Sequence, residues 1–126
     1  MAAGRADFTL VVRHLSGALE SGDDELVESL FSDSGAIVSW MKSWRERIPE
    51  DERANAVALM RRINPVFIPR NHRVEEVIAA AYQGDYKPCR SINAVLQNPF
   101  LEQAQSVEYE LAPKPSEVVQ ATFCGT

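Results

Sequence analysis

Hydrophobic and polar positions alternate with a helical period over most of this chain. The first apolar set falls at spacings of three and four residues: Phe8, Val11, Val12, Leu15 and Leu19. That repeat is typical of one buried face of an amphipathic helix. Asp7 comes directly before it, where a carboxylate can accept hydrogen bonds from the free N–H groups of the first turn. The pattern therefore predicts a helix that begins just after Asp7.

The same period recurs along the chain, with helix-start and helix-stop residues between the segments. It predicts further helices, caps included, over residues 21–31, 37–48, 49–63, 71–84 and 85–98. The inward faces predicted for three of these segments are Ile37, Trp40, Met41, Trp44 and Ile48; Ala56, Leu59, Met60 and Ile63; and Val74, Val77, Ile78, Ala81 and Tyr82. We therefore predict an all-α fold, an irregular bundle of about six helices with an extended C-terminal tail.

The segment "INPVFIPRNHRVEEVIAAAYQGDY" joins two of these helices through a connector that contains two prolines. Pro65 and Pro69 cannot continue a helix, so residues 66–68 are expected to be a short apolar connector that is at least partly buried. Asn71 is the expected N-cap of the next helix, and Gly84 its left-handed C-cap. Beyond residue 100 the apolar period decays. The predicted organisation is a helical domain over residues 1–100 and an extended tail over residues 101–126.

Composition narrows the classes of partner. The 126 residues carry a formal net charge of −5, which argues against nucleic acid because phosphate binding needs a clustered positive face. No apolar run approaches the roughly 20 residues that span a bilayer, and "MAAGRADFTL" does not resemble a signal peptide. With only two cysteines, a reducing compartment is expected. The expected location is cytoplasmic for a bacterial protein and mitochondrial for a eukaryotic one.

The sequence contains no recognisable motif of a catalytic site. There is no glycine-rich phosphate loop, and His14 and His72 lack metal-ligand spacing. Acidic clusters at 23–25 and 50–52 are interpreted as helix-start charges, which the helix dipole stabilises. We therefore predict no catalytic, cofactor-binding or metal-binding residue in this chain.

The two cysteines differ in their setting. Cys89 falls on the apolar face of a predicted helix, so a small buried side chain is expected there. Cys124 lies third from the last residue, in the predicted tail, where a thiol would be accessible to exchange chemistry. From the residues alone, Cys124 is either such a reactive thiol or an incidental tail residue.

Several motifs, taken as a set, resemble the C-terminal region of the selenoprotein O family. The run "NPVFIPRN", a helix and then "AAYQGDY" match the family's Asn-Pro/Arg-Asn/Gly-Asp-Tyr series. The segments "DFTLVVRHLS", "WMKSWRERI" and "NPF" are similar to family segments too, so that the resemblance covers residues 7–126.

The resemblance implies a parent protein much longer than this chain. Family members have a kinase-like (pseudokinase) fold, bind ATP in a flipped orientation with Mg²⁺, and transfer AMP to hydroxyl side chains of target proteins. Their catalytic parts lie upstream of the region that this chain resembles, so no ATP, metal or catalytic residue is carried over. The implied partners are the upstream kinase-like domain and the parent's protein substrates, without nucleic acid or membrane.

One residue is carried over from the resemblance. Family members often bear a cysteine or selenocysteine third from the C-terminus, which can form a disulfide with a cysteine near the kinase-like activation loop. Cys124 stands at that place. Selenocysteine members have a second cysteine three residues earlier, and here that position is Ala121, so a redox pair within the tail is excluded. The resemblance thus implies a redox-regulatory Cys124.

Two functions from different classes remain at this point. The first is a non-catalytic helical domain of a selenoprotein O-like protein adenylyltransferase, with a structural and redox-regulatory role through Cys124. The alternative is a stand-alone helical module that binds a partner protein and has no enzymatic activity. Either one is expected to expose an apolar surface.

Overall fold

Every regular element in the described part of the chain is helical. The computed structural model describes residues 6–122. Within that range there are six α-helices: α1 (Phe8–Ser21), α2 (Glu25–Glu28), α3 (Ser34–Glu46), α4 (Arg53–Ile63), α5 (Asn71–Tyr82) and α6 (Lys87–Leu96). Short 3₁₀ helices occupy Glu50–Glu52, Ala104–Tyr109 and Pro115–Glu117. The predicted all-α class is confirmed.

The chain divides into two compact units, Met1–Val66 and Phe67–Thr126. The first unit holds α1 to α4, and the second holds α5, α6 and the two later 3₁₀ helices. The division predicted from the sequence, at residue 100, concerns a different boundary and stays a prediction.

Two of three helix ends predicted from a capping residue are confirmed. The Asp7 carboxylate accepts a hydrogen bond from the Leu10 backbone N–H at 3.0 Å, as predicted. Gly84 has φ of 80°, a left-handed conformation that glycine adopts without steric cost, and it ends α5 as predicted. The predicted N-cap at Asn71 is wrong by one residue, because Asn71 is already helical and Arg70 precedes it in extended conformation.

The core of the first unit is built on one face of α1. Val11, Leu15 and Ala18 from this helix are buried together with Val27 of α2 and Met41 of α3. Half-buried side chains complete the cluster: Ala6, Leu30, Phe31, Ile37, Trp44 and Met60. Because isolated helices of this length are marginal in water, the shared burial is what holds them.

Three arginines tie the ends of these helices together. Arg45 on α3 makes a bidentate ion pair with Asp24 and donates to the Ala18 carbonyl oxygen at 3.2 Å. The Asp24 hydrogen bonds raise the pKa of the Arg45 guanidinium further. Arg61 on α4 makes a second bidentate pair with Glu20 of α1, at 3.1 and 2.6 Å.

The third arginine covers the C-terminus of α4. Arg13 on α1 donates to the carbonyl oxygens of Arg61 and Asn64, at 3.4 and 3.5 Å. These carbonyls lie at the end of α4, where the helix has no N–H of its own to offer and where a cation is favoured. The contact therefore fixes α1 against the end of α4.

The second unit is organised around Phe67 and the buried side of α6. Phe67 is 1% exposed, and its backbone N–H donates to the Pro99 carbonyl oxygen at 3.1 Å. Ile92 and Val95 are the buried apolar residues of α6. Val66 is buried and Ile68 half-buried, so the predicted burial of the connector is confirmed.

Replacing Phe67 by alanine should destabilise the chain by about 3–5 kcal/mol, because a fully buried aromatic side chain leaves a cavity. Phe100 is the matched control, since it is 42% exposed in the same unit. Phe100→Ala should cost under about 1 kcal/mol. The measurement is urea unfolding of both variants, and equal losses would show that the connector does not form a core.

The two bidentate pairs should differ in strength. Arg45 and Asp24 side chains are each 22% exposed, whereas Arg61 and Glu20 are 38% and 57% exposed. Double-mutant cycles with alanine should give a coupling energy of about 1–2 kcal/mol for Arg45–Asp24 and a clearly smaller one for Arg61–Glu20, because water and salt screen the exposed pair. A larger coupling at Arg61–Glu20 would contradict the ranking by burial.

Candidate functional site

The residue predicted to carry regulation, Cys124, lies outside the described residues. Its role therefore rests on the sequence resemblance alone and stays a prediction.

The predicted burial of Cys89 is wrong. Cys89 is exposed, in the first turn of α6. The buried face of this helix begins only at Ile92, one turn later. Periodicity placed Cys89 on the correct face, but that face is covered only where the unit has packing partners for it. Cys89 is consequently open to thiol reagents.

The two histidines differ in burial. His14 lies half-buried on α1, whereas His72 is 5% exposed, at the second residue of α5. Burial is the main cause that lowers the pKa of both side chains. Across residues 6–122 no three His, Cys, Asp or Glu side chains come together as metal ligands would.

An open pocket of about 280 Å³ lies at the start of α5. The second half of the "NPVFIPRN" motif forms one wall, with His72 following it. The other lining residues come from the last 3₁₀ helix and from the residues on either side of it. The lining residues are Ile68, Pro69, Arg70, Asn71, His72, Pro113, Glu117, Val118 and Val119.

Contacts of Arg73 hold α5 to the 3₁₀ helix Ala104–Tyr109. Its guanidinium pairs with Glu76 at 2.9 Å and donates to the Glu108 carbonyl oxygen at 3.0 Å. It also lies over the Tyr109 ring, 5.9 Å from the centroid, within reach of a cation–π interaction. The hydrogen bonds to Glu76 are the main cause that raises the pKa of Arg73.

Apolar side chains that were predicted to face inward are exposed on two helices. Leu59 and Ile63 lie one turn apart on α4, at 46% and 59% exposure. Ile78 and Tyr82 lie one turn apart on α5, at 43% and 87%. The predicted burial of these four residues is wrong for this chain. The reason is physical: periodicity identifies an apolar face, and a face is buried only where something packs on it.

The prediction that Trp40 is buried in the core is also wrong. It is 46% exposed, and its ring stacks on that of Trp44 with centroids 5.7 Å apart. Met41, between them in sequence, is fully buried as predicted. Trp44 is half-buried against the core, so Trp40 is the more exposed ring of the stacked pair.

The pocket's second wall was missed by the sequence reasoning. Glu117 and Pro113 fall in the segment predicted as an extended tail. A local signal was present: in "KPSE" the Glu117 carboxylate accepts from the Lys114 backbone N–H at 2.9 Å, and proline follows the cap position. That signal predicts a helical turn, but no sequence pattern brings it to α5.

None of the helices in the described range combines the length and the apolar character that crossing a bilayer requires.

No protein-family model matches the chain. Curated relatives match it over its whole length. They include the protein nucleotidyltransferase YdiU of Rhodopseudomonas palustris (strain HaA2), at 48% identity over 130 residues, and that of Bradyrhizobium sp. (strain BTAi1), at 46% over 129 residues. The protein of the same name from Jannaschia sp. (strain CCS1) is 41% identical over 128 residues.

In each of these comparisons the match takes in 100% of this chain and 26% of the relative. The chain thus spans about a quarter of the length of the relatives it matches. YdiU proteins are the bacterial nucleotidyltransferases of the family that the motifs resemble. Over its whole length the chain is similar to one part of these selenoprotein O-family proteins.

Proposed function

We propose that this chain is the C-terminal helical domain of a selenoprotein O-like protein adenylyltransferase. In this proposal AMP transfer from ATP to protein hydroxyl groups takes place in the rest of a longer protein. The helical domain has a structural role and a redox-regulatory one, the latter through Cys124. The observation that carries the proposal is a similarity that takes in the whole of this chain and 26% of the length of relatives named protein nucleotidyltransferase.

The exposed apolar faces of α4 and α5 support this assignment. Each has two large apolar residues at i and i+4, the spacing of a helix that buries a stripe. In a longer protein such stripes would be covered by the remaining domains. A stand-alone interaction module would expose similar faces, so the decisive argument between the two functions is the length of the relatives.

Phosphoryl and nucleotidyl transfer need metal-holding carboxylates together with a cradle for phosphates. The proposal assigns both to the kinase-like part of the longer protein, so that the helical domain would depend on that part for ATP, Mg²⁺ and the protein substrate.

Cys124 would act by forming a disulfide with a cysteine near the kinase-like activation loop. Two thiols lose two protons and two electrons to an oxidant such as glutathione disulfide, which is reduced to two thiols as the S–S bond forms. The bond requires that the two Cα atoms come within about 7 Å. Oxidation would then restrain the catalytic domain, and reduction would release it.

The isolated chain should neither bind Mg·ATP nor transfer AMP. Isothermal titration with Mg·ATP should give no binding heat at micromolar to millimolar nucleotide, and mass spectrometry should detect no AMP adduct on added proteins. Micromolar binding of Mg·ATP by the 126-residue chain would contradict the proposal that nucleotide binding resides in the rest of the longer protein.

In the longer protein, oxidation should lower AMP transfer and Cys124→Ser should abolish that response. Cys89→Ser is the matched control: this thiol is exposed in the isolated chain and is not assigned to the latch, so its removal should leave the response intact. The measurement is AMP transfer with and without oxidant, together with non-reducing peptide mapping. If Cys124→Ser responds to oxidant as the unmodified protein does, Cys124 has no regulatory role.

A further inference from the structure

The pocket at the start of α5 has features that the proposed function does not use. Its volume of about 280 Å³ is at the small end for ligand sites. Arg70, Asn71, His72 and Glu117 supply its polar lining, and the other lining residues are apolar, Ile68, Val118 and Val119 among them. Such a site fits a ligand with one polar head and a short apolar body.

His72 is the first indication of a ligand. The side chain lines the pocket, the residue is 5% exposed, and its Nδ1 is buried without a hydrogen-bond partner among the described residues. A buried polar atom without a partner costs free energy, so native structures seldom leave one unexplained. A ligand atom in the pocket, with a ring adjustment that opens Nδ1, would supply the missing hydrogen bond.

The N-terminus of α5 gives the second indication. This helix has 12 residues, and no side chain caps it. The free N–H groups of its first turn, together with the helix dipole, favour an anion at this position. Arg70, which is 6% exposed and immediately precedes the helix, adds a buried positive charge beside it.

Glu117 limits the charge of the ligand. Its carboxylate lies in the same pocket, and one oxygen accepts from the Lys114 backbone N–H at 2.9 Å. A fixed negative charge beside the site disfavours a phosphate dianion more than a singly charged carboxylate, because the repulsion scales with the product of the charges.

We propose that this pocket binds a carboxylate that carries a short aliphatic group, with the carboxylate at the N-terminus of α5 and beside His72, and the aliphatic group against the valine and proline wall. The carboxylate could belong to a free short-chain acid or to the end of a peptide, which share this chemistry. This proposal does not depend on the redox role proposed for Cys124.

Binding should be coupled to protonation of His72. Charged groups around this imidazole are Arg70, Arg73, Glu76 and Glu117, and burial lowers its pKa in the free chain. A bound carboxylate stabilises the imidazolium, so the complex takes up a proton and the pKa of His72 rises. By linkage, affinity should increase as the pH falls from about 7 toward about 5.5.

The test is an NMR pH titration of the two histidine rings, with and without sodium butyrate at constant ionic strength. His14 is the internal control, since it is a partly buried histidine of the other unit. Butyrate should raise the pKa of His72 by about half a unit or more and leave that of His14 unchanged. Sodium phosphate should have a smaller effect than butyrate. If both histidines shift equally, or neither shifts, the site does not bind carboxylates.

Two further arms sharpen the result. Glu117→Gln removes the repelling charge and keeps an acceptor for the Lys114 N–H, so it should tighten butyrate binding between about three- and tenfold. Unchanged or weaker binding would overturn the placement of the carboxylate.

N-acetylvalyl-valine, tested as the free acid and as its amide, distinguishes the end of a peptide from a free short-chain acid. If the peptide acid binds more tightly than butyrate, the site recognises chain ends. If the amide binds as strongly as the peptide acid, the site does not recognise a carboxylate.

Discussion

The structure depends on one constraint: its helices are short, and each needs a neighbour that packs on its apolar face. The longest, α1, has 14 residues, and α2 has only four. Helices of this length are marginal in water and persist because neighbours cover one face. In the first unit α1 provides that cover through Val11, Leu15 and Ala18. In the second unit the connector residue Phe67 is buried, and so are Ile92 and Val95 of α6.

The same constraint explains what the chain leaves open. Leu59 and Ile63 on α4, and Ile78 and Tyr82 on α5, form stripes like those that are buried on α1. Each stripe is apolar without a covering element in its own unit. The whole chain matches only 26% of the length of its YdiU relative. If the chain is part of a longer protein, as proposed, the rest of that protein offers surfaces that could cover the stripes.

Local signals account for most of what the sequence predicts correctly. The helical period together with Asp7 and Gly84 predicts where α1 begins and where α5 ends, because these depend on neighbouring residues alone. Exposure of Trp40, Tyr82 and Cys89 was not predictable, since a period shows which face is apolar and not whether a partner covers it. The pocket was missed for a related reason: it joins the start of α5 to Glu117, and that pairing depends on tertiary structure.

The central claim, that these open faces are contacts within a longer protein, can be tested by hydroxyl-radical footprinting. Side-chain oxidation is compared between the isolated chain and the same residues in a full-length parent, with Tyr82 and Leu59 as reporters and the half-buried Tyr109 as reference. The account predicts that Tyr82 and Leu59 are oxidised several-fold more slowly in the longer protein, while Tyr109 changes little. Equal oxidation of both reporters in the two proteins would contradict it.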